Sequence, residues 1–355
     1  MTETGVLIRR LGDGLRGITP AGAATVLDAA PRLDVMVLEV AGGHLTWNVL
    51  AGPSIPAAVV DDVELAQEWV WAIYGERIAL ALGEGPSGTS ATLPGSARQA
   101  ADVDGEWHGA APALPALASS AWRLAYAHWA SRWWPSSTLD GIAALDQQLL
   151  NRDIAVLTEQ CEALLDGADA IGPPVGAILE SRPRASDYAL AAGDEAVGGL
   201  ILGRGVVGWD WRRCPPGLVD ASEKAVSWQV VRDGGVSTIA VAAVAAPGLP
   251  ARLPAHLRPW ARIATGGAVR ETELRSADGA WVGETSFTTT GSTARVDIYV
   301  PDFGITSTGD EAESRRLIRE FALSRLRRAV SPLGDEGADS PLLAEIASAT
   351  DDSDF

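Results

Sequence analysis

Gly203-Arg204-Gly205-Val206-Val207-Gly208 has the G-x-G-x-x-G spacing of a dinucleotide-binding turn, where helix amides hold a pyrophosphate. Leu200-Ile201-Leu202 supplies a strand before it, but a helix must open directly after it. Instead the chain continues Trp209-Asp210-Trp211-Arg212-Arg213-Cys214-Pro215-Pro216-Gly217, and two prolines with a glycine stop a helix there. The run reads as a Gly-rich strand and turn, with no dinucleotide expected. Asp102, Asp104 and Glu106 alternate as in a calcium loop. However, Trp107 stands where the sharp turn needs Gly, and Ala113 where a bidentate acid should be. His44, His108, His128 and His256 each lack a second ligand two to four residues further along the chain, so no metal site and no cofactor are expected. Cys161 and Cys214 are too few for a disulfide framework or a zinc quartet. Cys214 lies beside Arg212 and Arg213, which would depress a thiol pKa, though no histidine or helix terminus is near it in sequence. Lys224 is the single lysine among 28 basic residues, and its charged and polar neighbours predict an ordinary exposed amine. The H-E-x-x-H, G-x-S-x-G and Walker A patterns are absent.

The elements that must carry any site change character along the chain. Residues 1–83 mix strand and helix. Val35–Val40 faces His44–Leu50 across Ala41-Gly42-Gly43 as a short hairpin. Asp61-Asp62 then caps a helix whose apolar set Val63, Ala66, Val70 and Ile73 runs to Gly75. Residues 84–115 lose all periodicity and gather Gly, Ser, Pro and Ala, which predicts a flexible loop. Residues 116–196 are helical. Trp122, Tyr126, Trp129 and Trp133 fall on one stripe, with Ser119 or Ser120 as cap and Pro135 as stop. Leu150, Ile154, Leu157, Cys161 and Leu164 repeat the spacing, which predicts an antiparallel helical hairpin with packed stripes. His128 sits one residue off the aromatic stripe and reads as a boundary residue rather than a base.

From 197 to 303 the period becomes two. Strands are expected at 225–231, 236–245, 260–264, 269–274, 281–288 and 294–300, separated by Gly-containing turns. Short antiparallel strands at this spacing read as a β-sandwich, with a small closed barrel as the alternative. The fold class is therefore α+β, closed by a helix within 304–330 and an acidic, disordered tail at 331–355 that carries seven acids and no base.

With 46 acidic against 28 basic residues the formal charge is −18, a field that repels phosphate backbones and argues against nucleic acid. The opening residues lack an apolar signal region and no apolar stretch reaches membrane length, so a cytoplasmic protein without membrane contact is expected. One basic cluster stands out. Arg315, Arg316, Arg319, Arg325, Arg327 and Arg328 sit on one helix, whose Ile318, Ala322, Leu326 and Ala329 predict a docked face. The arginines are expected to project around it as a binding surface, either solvated, screened by the acidic tail, or open to an acidic partner or nucleic acid when the tail moves.

Trp133-Trp134-Pro135-Ser136-Ser137 with Asp140-Gly141-Ile142 and Leu145-Asp146, and Pro215-Pro216-Gly217 leading to Asp220-Ala221-Ser222-Glu223, resemble segments of uncharacterised proteins from high-GC bacteria. That family accompanies MoxR-type ATPases and von Willebrand-type domains in multi-gene conflict systems. The resemblance spans about 120–326 and transfers no catalytic residue. It implies an accessory component with protein partners. The expected function is thus a non-enzymatic cytoplasmic adaptor. The alternative is a hydrolase or transferase with a site between the front domain and the helical region, using His44, His108 or His128.

Overall fold

The computed structural model describes residues 4–23, 32–84, 105–165, 200–249, 253–288, 293–304, 311–330 and 337–351. The chain divides into two compact units, and the fold class is α+β. The first unit (Met1–Ser131, Gln147–Val175 and Ser331–Ile346) is built on β1 (Thr4–Gly12), β2 (Leu15–Pro20), β3 (Val35–Val40), β4 (Gly43–Asn48), β5 (Ala57–Val60) and β6 (Glu106–Ala110). All pairings are antiparallel, in the order β3-β4-β5-β2-β1-β6. The expected hairpin is present, with Val35 opposite Asn48 and Val40 opposite Gly43. Its turn needs Gly42, whose φ is 68°, a conformation costly to a residue with a Cβ. The Gly42 carbonyl then accepts from Asp61 and Asp62 N–H at 3.0 and 3.2 Å. The hairpin turn thereby sets the start of α1 (Val63–Tyr74), where Asp62 Oδ1 accepts from the Glu64 and Leu65 amides.

A second helix, α2 (Glu76–Glu84), follows. Part of the expected 84–115 loop is ordered structure instead: Glu106–Ala110 is an edge strand on β1, with Trp107 opposite Leu7. A five-residue strand needs only a partner edge, not a sequence period of its own, so composition concealed it. Asp102 and Asp104 lie outside the described residues.

Next come α3 (Pro115–Trp133), α4 (Gln147–Gln160) and α5 (Glu162–Leu165). The cap expected at Ser119 or Ser120 is displaced, because α3 opens at Pro115, a residue suited to the first helical position. Ser119 Oγ bonds back to the Pro115 carbonyl, and Ser120 Oγ reaches Gln160 Oε1 at 3.0 Å. That bond ties the first turns of α3 to the end of α4. Trp122, Tyr126 and Trp129 are buried and stack in succession, with centroids 5.4 and 5.9 Å apart. Trp133, at the helix end, is half-buried.

The described residues of the second unit (Arg132–Asp146, Gly176–Val330 and Ala347–Phe355) form eight strands. They are β7 (Leu200–Val207), β8 (Val226–Asp233), β9 (Val236–Val244), β10 (Trp260–Thr265), β11 (Ala268–Glu273), β12 (Arg275–Ala277), β13 (Ala280–Phe287) and β14 (Arg295–Tyr299). They form two antiparallel sheets, β12-β13-β9-β8-β7 and β11-β10-β14, neither of them closed into a barrel. Each buries alternate residues, such as Val226, Trp228 and Val230 on β8 and Ala261 and Ile263 on β10. The chain passes from one sheet to the other at the fully buried Leu274. Gly283 makes room there, since a Cβ on it would lie 2.7 Å from Leu274 Cδ2.

Beyond the strands lies α6 (Ala312–Val330), which buries Ile318, Ala322, Leu326 and Ala329 as its apolar spacing predicts. The tail departs from the expected disorder, because α7 (Leu343–Asp351) forms within it. Glu345, at the third helical position, accepts the Leu342 N–H at 2.7 Å, one half of a capping box. Its other oxygen accepts the Tyr126 hydroxyl at 2.7 Å. Leu342, Ala344 and Glu345 are fully buried in consequence. Asp153 on α4 lies against the same helix start, and burial raises its pKa above the usual carboxylate range.

Candidate functional site

The segment Trp133–Asp146 and the segment Pro215–Glu223 come together in the second unit. Ser137 and Ile142 exchange two backbone hydrogen bonds of 2.8 Å, closing a tight turn around Asp140 and Gly141. The other segment, 218–221, runs extended beside the end of β9: Asp220 N–H donates to the Val244 carbonyl and Ala246 N–H to that of Leu218. The Ala221 N–H donates to the Ser136 carbonyl, joining the two segments. Two indoles fasten this strand, Trp209 Nε1 donating to the Asp220 carbonyl and Trp281 Nε1 to that of Leu218, both at 2.7 Å.

Asp220 is the centre of the junction and is fully buried. Its Oδ1 accepts from Ser137 Oγ at 2.7 Å and Ser222 N–H at 2.9 Å. Its Oδ2 accepts from the Thr138 N–H at 2.7 Å and the Thr138 hydroxyl at 3.1 Å. Ser137 Oγ in turn accepts from the Asp140 N–H, and Ser222 Oγ donates to the Asp140 carboxylate. Four donors thus satisfy both carboxylate oxygens of Asp220 from within the protein. Among the described residues no imidazole or amine joins the group, and the Ser137 hydroxyl is committed to the Asp220 carboxylate.

Arginines of α6 complete the shell. Arg315 grips Glu223 through two bonds of 2.6 and 3.0 Å, while Arg319 reaches Glu223 at 3.0 Å and Asp140 at 3.2 Å. Gly208 is required beside this pair, because a Cβ on it would fall on the Glu223 carboxylate. Gly205 faces Trp228 in the same way, at 2.7 Å. The glycines of the G-x-G-x-x-G run thus serve close packing on and beside β7.

The six arginines do not make one solvated face. Arg315 and Arg325 are buried, Arg319 is largely so, and Arg316 is paired with Glu313 and Glu320; Arg327 and Arg328 are exposed. Acids distant in sequence, above all Asp140 and Glu223, draw Arg315 and Arg319 inward, which helical spacing alone does not reveal. Two of the histidines expected as candidates stay apart as well. His44 on β4 and His108 on β6 lie four strand spacings from each other in the sheet order, about 19 Å at the usual interval. Burial lowers the pKa of His44 and of His128, and His256 lies in the second unit. Both thiols are buried: Cys161 is pushed up to about 12 and Cys214 further, the burial of Cys214 outweighing the neighbouring Arg213. Neither is an activated nucleophile. Lys224 is exposed, as its neighbours predict.

A shallow cleft lies on the rim of the Asp220 junction. It is lined by Arg132, Trp133, Trp134, Pro135, Trp209, Trp211 and Pro216, with small residues between them. The residue types were legible in the sequence. Their meeting was not, because Trp133 and Trp209 are brought together only by the pairing of two distant turns. No family model, no curated protein and no solved structure matches the chain.

Proposed function

We propose that the protein is a non-enzymatic, cytoplasmic interaction component of a multi-protein bacterial system, and that it docks a partner along β7. The supporting observation is the edge itself. β7 ends the five-stranded sheet among the described residues, and its Leu200, Ile201 and Val206 are 67, 55 and 58% exposed. An edge strand offers unpaired N–H and C=O groups to an added strand, while its apolar side chains supply contact area. A bulge between Ile201 and Gly203 and the charge of Arg204 limit indiscriminate sheet-to-sheet association. The partner that fits is an extended segment with alternating apolar residues. The Asp220 junction supports the same reading, since its acids and hydroxyls are engaged with one another rather than presented to a substrate.

The test compares the tagged full-length protein with an Ile201→Lys/Val206→Lys variant, both cross-linked and purified from the native host. The exposed side chains make the double substitution compatible with folding, which circular dichroism checks. A stoichiometric partner held by the parent and lost from the variant is expected. A partner retained by the variant, or none with the parent, would overturn the docking edge.

A further inference from the structure

We infer that the tryptophan cleft is a second binding site, for an extended proline-containing peptide bearing an acidic residue. None of the cleft's residues belongs to β7, so the proposal goes beyond the edge-docking reading and stands or falls separately. Four observations carry it. First, the cleft encloses about 30 Å³, far below the ~300–1,000 Å³ of pockets that hold metabolites. Such a cleft takes a ring or a side chain of something larger that lies across the surface.

Second, its walls suit proline rings. Trp133, Trp134, Trp209 and Trp211 converge with Pro135 and Pro216, and flat aromatic faces between prolines are what a polyproline II ligand packs against. Two of the indoles are held from behind: Trp134 Nε1 donates to the Ala143 carbonyl at 2.8 Å, and Trp209 to Asp220. Their planes are set before any ligand arrives, which lowers the entropy lost on binding.

Third, Trp211 is 5% exposed and its Nε1–H has no hydrogen-bond partner among the described residues. A buried indole N–H is a donor in need of an acceptor. The nitrogen is closed off from solvent, so a carbonyl of a polyproline II strand, which makes no internal hydrogen bonds, reaches it once the rim of the cleft shifts.

Fourth, the lining contains one cation and no acid. The exposed Arg132 lies over the Trp133 ring, 5.1 Å from its centroid, poised to pair with a carboxylate beside the prolines. Residues 197–303, which supply part of the walls, carry 11 bases against 10 acids, so this part of the chain is near neutral and Arg132 supplies the attraction at short range against the overall negative charge. A saccharide fits less well, because no Asp, Glu, Asn or Gln lines the cleft to read sugar hydroxyls.

The experiment measures fluorescence anisotropy of a labelled peptide of three Pro-Pro-Glu repeats titrated with the full-length protein. Saturable binding is expected, absent for Ala-Ala-Glu repeats and not displaced by cellohexaose. Trp133→Ala should weaken binding about tenfold or more, as loss of an aromatic anchor does. Arg132→Glu, an exposed change that keeps the fold, should weaken the acidic peptide about fivefold while leaving a Pro-Pro-Gln peptide unaffected. The Ile201→Lys/Val206→Lys protein should bind as the parent does, which separates this site from the docking edge. No saturable binding, equal binding of the alanine peptide, displacement by cellohexaose, or insensitivity to Trp133→Ala in a folded protein would each overturn the proposal.

Discussion

Asp220 gives up all its water on folding and receives four hydrogen bonds in return, from Ser137, Ser222 and both donors of Thr138. Its side chain thereby joins two turns more than eighty residues apart in sequence. Replacement by alanine strands a buried hydroxyl and amides without an acceptor, and should cost about 3–5 kcal/mol. Asp220→Asn keeps the shape but has only one accepting oxygen, so about 2 kcal/mol is expected. Urea denaturation of both variants gives the comparison. A loss below about 1 kcal/mol for Asp220→Ala would show that water can replace the carboxylate. The same logic bears on Arg315, whose guanidinium is held out of solvent with a bidentate grip on Glu223.

At the level of elements, the aromatic stripe of α3 and the helix in the acidic tail belong together. Tyr126 stacks between Trp122 and Trp129, and its hydroxyl donates to Glu345 of α7. Trp129 Nε1 donates to the Leu33 carbonyl at 2.7 Å. Trp129→Ala should therefore cost on the order of 3–5 kcal/mol, with a thermal midpoint several degrees lower. Glu345→Ala should cost less, about 1–2 kcal/mol, through the lost cap and the stranded tyrosine hydroxyl. Thermal melts of both variants follow this order if the stripe is core. Equal and negligible shifts would place the stripe at the surface. The tail is not a dispensable screen, because Leu342 and Ala344 are as buried as the residues of α3.

For the whole molecule, charge governs what can approach. The net charge is −18, and on the one arginine-rich helix Arg315 and Arg319 are committed to Glu223 and Asp140 while Arg316 is paired with Glu313 and Glu320. The full-length protein should consequently pass through a heparin column without retention at about 50 mM salt, where a Debye length of roughly 14 Å leaves long-range repulsion active. Retention that persists toward 0.2 M salt would reveal a basic surface outside the pairs described. No helix among the described residues is long and apolar enough to cross a membrane.

What the sequence determined by itself is whatever depends on neighbours in the chain. The Val35–Asn48 hairpin, the Asp62 cap, the α3 stripe and six of the eight later strands follow from period, turn residues and capping chemistry, all of them local. The reading of the G-x-G-x-x-G run as a strand and turn with no helix opening after it was equally local, set by Pro215 and Pro216. Tertiary structure decided everything that depends on which distant residue answers a side chain. β6 exists because β1 offers an edge, and α7 because Glu345 finds Tyr126 and the Leu342 amide. Arg315 and Arg319 turn inward because Glu223 and Asp140 wait there. A charged or polar side chain goes where its partner is, and the partner of a residue far along the chain is not encoded in any local period. The tryptophan cleft is the clearest case: its residues stand in two short runs, and only the Asp220 junction brings those runs to one surface.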